Sequence, residues 1–187
     1  MAFLVVSVGG IILLSRLNAG VTAPGPQTSA APGTEPGDGD TATGGQGQTV
    51  DGVRCDRGEQ LAFHVHAHLF ILKDGNRQPV SAGIGIPGSP LARCFYWLHT
   101  HDRTGAIHIE APAQSSFTLG QFFDIWGQTL SSTRVARIDV SSGQFTVFVD
   151  GRPFTGDPRD VPLKPHTQVV IEIGKQVAPP TFDFGNL

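Results

Sequence analysis

In two stretches of the chain, histidine alternates with other residues at a period of two. The first is His64-Val65-His66-Ala67-His68; the second is Trp97-Leu98-His99-Thr100-His101 followed by Ile107-His108-Ile109-Glu110. Only an extended strand turns that period into two faces, because successive side chains of a strand point to opposite sides while residues two apart on a helix diverge. The stretch from 63 to 110 is therefore constrained to strands with an imidazole face and a mostly apolar face. It holds all but one of the chain's 7 histidines.

The rest of the chain reads as further short strands around one helix. Residues 63–72 end in Lys73-Asp74-Gly75-Asn76, which is turn chemistry, and a second strand is expected over 80–86 before the loop Pro87-Gly88-Ser89-Pro90. A strand over 94–101, the turn Asp102-Arg103-Thr104-Gly105 and a returning strand over 106–110 make a hairpin. Thr118 can cap a helix in which Leu119, Phe122, Phe123 and Trp126 recur at helical spacing, and Gly127 can end it. Strands are also expected over 134–140, 145–149 and 168–173, with Asp150-Gly151 as a hairpin turn. The pattern predicts a mainly β fold, an antiparallel β-sandwich or barrel with one short covering helix.

Of the 187 residues, those after about 50 suffice for one domain with its own core. Residues 2–14 form an apolar run shorter than a standard membrane span, and residues 1–19 read as a signal peptide or an N-terminal membrane anchor. Residues 20–50 carry abundant Gly and Pro and no Lys, Arg or aromatic side chain, so they read as a flexible linker. The β domain spans 51–177, and 178–187, opening with Ala178-Pro179-Pro180, is a tail. These features predict a protein secreted or anchored in the cell membrane facing outside. A net charge of -3, with 13 Lys and Arg scattered along the chain, gives no footprint for nucleic acid and leaves the N-terminal segment as the only membrane contact. No feature specifies a protein partner. The 2 cysteines, Cys55 and Cys94, favour a disulfide in an exported chain. The rival role, Cys94 as a ligand of a blue-copper type site, conflicts with strand parity, which turns Cys94 to the side of Leu98.

Stepping down both arms of the hairpin from its turn sets His99 opposite His108 and Trp97 opposite Glu110. His99, His101, His108 and Glu110 then share one face, while Leu98, Thr100, Ile107 and Ile109 face the core. His64, His66 and His68 share a face of their own strand. Opposed Cβ atoms in an antiparallel pair lie ~4.5 to 5.5 Å apart, so these imidazoles and Glu110 can close on one ion. Imidazole suits several transition metals, and an exported site points to copper or zinc. Asp102 is a candidate for orienting an imidazole from behind, although initiating the turn is its simpler role; His166 reads as a surface residue. A pH-responsive histidine patch is the alternative to a metal site. For the chain as a whole, the rivals to metal handling or sensing are a metal-dependent enzyme built on three His and Glu110, and a stalked adhesion or interaction domain.

At Trp97-Leu98-His99-Thr100-His101 the sequence resembles the Trp-Tyr-His-x-His motif of multicopper oxidases and related cupredoxin-like proteins. Gly105, Ile107, Ile109 and Pro112 fit the strand that follows it there, and His64-Val65-His66 resembles the earlier His-x-His of that family. The resemblance covers about fifty residues in two short pieces. It implies copper ligation on a cupredoxin-like sandwich. The chain carries neither the Cys flanked by His of a type 1 site nor the C-terminal His-x-x-His-x-His, so the resemblance extends to a single copper or zinc site rather than to a trinuclear cluster.

Overall fold

The structure is a computed structural model that describes residues 44–88, 94–141 and 144–187. The expected leader or anchor, most of the linker and the end of the Pro87–Pro90 loop lie outside the described residues.

The fold is mainly β, with several sheets that do not close into a barrel. Its centre is the long strand Phe63–Lys73. Over residues 63–68 this strand pairs antiparallel with the return strand Ala106–Ala111, and over 68–73 it pairs in parallel with Gln168–Ile173. From one edge the main sheet runs Arg152–Phe154, Phe145–Val149, Gln168–Ile173, Phe63–Lys73, Ala106–Ala111, Leu98–His99, with Asn76–Gln78 also paired to the long strand. The parallel pair departs from the all-antiparallel sheet expected from the sequence. The hairpin turns are as expected: Asp74-Gly75 and Asp150-Gly151 both adopt positive φ at their two residues, the geometry whose twist suits a two-residue connection.

One face of the sheet carries Ala67, Leu69, Ile71, Ile107, Ile109, Val169 and Ile171, all buried. Against this core packs the helix Leu119–Trp126 through Leu119, Phe122, Phe123 and Trp126. Burying each such side chain contributes roughly 1.5 to 3 kcal/mol. The helix begins with a complete capping box, Thr118 accepting from Gln121 N and the Gln121 side chain accepting from Thr118 N, and ends at Gly127 in the left-handed region.

Three expected strands are altered. Residues 80–86 do not form one: Gly83 and Gly85 sit at φ 74 and 72, and the segment folds into turns bonded to the chain at Thr100 and Tyr96. A Cβ on Gly85 would stand 2.4 Å from Leu98 O, so this close approach needs glycine. The strand expected over 94–101 breaks at Trp97, its Phe95–Tyr96 half pairing with Cys55–Asp56 and its Leu98–His99 half with the return strand. The strand over 134–140 breaks after Ala136, which has φ 51, into Arg134–Ala136 and Ile138–Asp139. Residues 44–50, expected to end the linker, belong instead to the packed unit: Gly45 N donates to Ile125 O at 2.9 Å and Gly47 N to the Tyr96 hydroxyl at 3.0 Å. The tail is likewise docked, Phe182 and the Gln168 side-chain amide exchanging hydrogen bonds of 2.7 and 3.1 Å.

Candidate metal centre

Three neighbouring strands set the histidines in rows. His66 pairs with His108 on the long and return strands, and His108 pairs with His99 on the other side, so three imidazoles stand side by side across the sheet. One step along, His64 pairs with Glu110. The opposition of His99 and His108 is the one reached by counting from the turn, and it arises because Leu98, Ile107 and Ile109, each fully buried, hold the opposite face in the core.

Four donor atoms close a ring. His64 Nε2 lies 3.1 Å from His66 Nε2, His66 Nε2 3.2 Å from His108 Nδ1, His108 Nδ1 3.4 Å from Glu110 Oε1, and Glu110 Oε1 3.2 Å from His64 Nε2. An ion bound through ~2.1 Å bonds needs adjacent donors about 3.0 Å apart in a square and about 3.4 Å apart in a tetrahedron. All four edges fall in that window; His64, His66 and His108 form a group of three within 4.8 Å of one another, which Glu110 joins through its edges to His64 and His108. A second group joins it: His99, His101, His108 and Glu110 can each offer a donor atom within 4.8 Å of the others. Here His99 Nε2 lies 3.2 Å from His101 Nε2 and 3.9 Å from Glu110 Oε2.

The protonation states suit a cation. His99 Nδ1 lies 2.9 Å from Tyr96 O, which can only accept, so Nδ1 carries the proton and Nε2 presents its lone pair to the site. Burial pushes His99 down to about 4 and His108 down to about 3, the neighbouring imidazoles adding to the effect in both, and burial also lowers His66. These rings are therefore neutral at pH 7 and able to ligate. Glu110 is buried and pushed up to about 7, first by desolvation and then by the charge of Glu59. Its Oε2 has no hydrogen-bond partner among the described residues. A buried carboxylate so placed is costly to ionise without a cation to face it.

Glu59 is a site residue that the strand pattern could not reveal. It lies in the loop before the long strand, and its Oε1 stands 3.3 Å from His101 Nε2 and 4.0 Å from His99 Nε2. The loop is carried to the site by the Cys55–Asp56 strand, which is joined to Phe95–Tyr96 by its ladder and to Cys94 by the Cys55–Cys94 disulfide, Cα atoms 5.4 Å apart. That disulfide removes Cys94 from the ligands. The Trp97 indole donates to Asp56 Oδ2 at 2.9 Å and closes the same corner.

Two candidates take other roles. His68 shares the face of His64 and His66 but is fully buried away from both groups, its ring stacked on Phe182 and its Nε2 donating to Thr104 O at 2.9 Å. The tail packs over that end of the strand, with Phe182 covering the ring. Asp102 Oδ1 accepts from Thr104 N at 2.8 Å and Thr104 Oγ1 at 2.5 Å, the bonding of a turn rather than of an imidazole. His166 is exposed, at φ 61, and stacks on Phe184. Two surface clefts, one bounded by Phe145, Phe154 and Arg159 and the other by Val50, Asp124 and Gln128, have no histidine in their walls.

No family model, curated protein or solved structure matches the chain.

Proposed function

We propose that the chain is an extracytoplasmic domain that binds copper or zinc and serves metal handling or sensing, held at the cell surface or released by its N-terminal segment. The observation that carries the reading is the closed ring of His64, His66, His108 and Glu110 donors, with edges of 3.1 to 3.4 Å. Three imidazoles and a carboxylate form a borderline-soft donor set suited to Zn and Cu rather than to Mg or Ca. The disulfide supports an oxidising compartment. The resemblance of Trp97 to His101 to cupredoxin-like copper segments favours copper of the two. His64 and His101 remain accessible, with 38% and 42% of their side-chain surface exposed, so an ion could enter and leave from solvent.

Protein prepared without a histidine tag, loaded with Cu(II) or Zn(II) and dialysed, is expected to retain the ion at stoichiometric level. Saturating ion should raise its unfolding midpoint, since a ligand at 100 times its Kd adds about 2.7 kcal/mol. Changing His66 and His108 together to Ala should remove the ion held by that ring and the part of the stabilisation it gives. Sub-stoichiometric retention by the wild type, or equal retention by the double variant, overturns the reading.

A further inference from the structure

We propose that the centre holds two ions rather than one, the first in the ring of His64, His66, His108 and Glu110 Oε1, the second between His99, His101, Glu59 and Glu110 Oε2, with the Glu110 carboxylate bridging them. The inference rests on the metal-binding reading above and deepens it.

Three observations carry it. The first is that the donors divide. His66 and His64 belong to one group and His99 and His101 to the other, with His108 common to both. The donors outnumber the four that a tetrahedral ion takes, so one ion in the first group leaves His99, His101 and Glu59 without a role. The second is the split carboxylate: Glu110 Oε1 faces His64 and His108 at 3.2 and 3.4 Å, whereas Oε2 faces His99 at 3.9 Å. Glu110 is 2% exposed and its Oε2 is an unpartnered buried oxygen aimed into the second group. A hydrogen-bond acceptor so buried is left unpaired only at a cost, and a cation there would remove it. The third is Glu59, which reaches in from a separate loop to stand 3.3 Å from His101 and 4.0 Å from His99. It gives the second group its own anionic oxygen, so each cation meets at least one carboxylate.

His108 stands between the two groups. Its Nδ1 is committed to the first, and its ring centre lies 4.4 Å from that of His101 and 5.4 Å from that of His99. Two imidazoles and two carboxylate oxygens are enough to hold the second ion, with solvent on the exposed His101 and Glu59 side.

The test is a calorimetric titration of the metal-free, untagged full chain with Zn(II), together with EPR of the chain loaded with one and then two equivalents of Cu(II). Two equivalents in two steps are expected, and the second copper should broaden or diminish the signal of the first. Glu59→Gln should weaken the second step by about tenfold or more and leave the first unchanged; Glu59→Gln with His101→Ala should leave one equivalent. Both side chains are partly exposed, 37% and 42%, so these changes should not prevent folding. Saturation of the wild type at one equivalent, or two equivalents unaffected by the double change, overturns the second ion while sparing the first. Failure of any Zn(II) or Cu(II) to bind overturns the metal reading itself.

Discussion

His68 carries the same side chain as its neighbours two and four residues back, yet its surroundings make it a structural residue with a pH dependence of its own. Burial pushes it down to about 4, against an ordinary 6.5. Above pH 6.5 neither the folded nor the unfolded chain protonates it. Between 6.5 and 4 the unfolded chain takes the proton and the folded chain does not, so the stability it supports drains away on acidification by about 3 kcal/mol at most. Glu110 acts in the opposite direction in the metal-free protein, its pKa raised to about 7, so that its contribution is present below the unfolded value near 4.5 and is lost as pH rises through 7. His68→Phe, placed beside Phe70 and Phe182, should lessen the fall in urea midpoint between pH 6.5 and 4, the remainder coming from His66, His99 and His108, and leave metal stoichiometry unchanged. Thr104 O keeps a donor in the variant, from Arg77 Nη2. Equal acid sensitivity in variant and wild type would assign the effect elsewhere. The faces of His64, His66, His99, His101, His108 and Glu110 were legible in the sequence because period two fixes a side for each. The fate of His68 was not, because parity names a face and is silent on what covers it. Glu59 was hidden for another reason: a loop has no period from which to read direction.

At the scale of elements, the helix is legible to its ends, since Thr118 and Gly127 state the start and stop in local chemistry. Thr118→Ala should lower stability by about 1 kcal/mol, read as a shift in denaturant midpoint with an unchanged slope. A change in slope would show instead that the helix had come away from the sheet. The segment 80–86 was misleading because Val80, Ala82, Ile84 and Ile86 alternate as a strand would, while Gly83 and Gly85 turn the backbone at the same place. The strand Gln168–Ile173 is legible but its partner is not: Val169, Ile171 and Ile173 mark a buried face, and nothing in that alternation tells a parallel neighbour from an antiparallel one.

At the scale of the whole molecule, the disulfide joins the corner that carries Glu59 to the strand that leads into His99. Replacing Cys55 and Cys94 by Ser should lower stability by ~2 to 4 kcal/mol on the chain-entropy model, seen as a lower melting temperature in the metal-free protein. The same variant should lose affinity for a second Zn(II) before it loses the first, because the ring of His64, His66, His108 and Glu110 is held by the main sheet rather than by that corner. Equal loss at both would mean that the corner supports the entire centre. The sheet and the disulfide are legible, since ladder positions repeat and two cysteines allow one pairing, whereas the loop that this corner carries to the site has no such signal.

The parallel pairing of the long strand with Gln168–Ile173 joins residues about a hundred positions apart. Every donor of the candidate metal centre lies between Glu59 and Glu110, well upstream of that strand. As the polypeptide is made from its N-terminus, the full set of ligands emerges before the segment that completes the sheet. Metal present at that moment would meet its ligands on an unfinished protein and could cross-link the long strand and the hairpin while the C-terminal third has yet to arrive.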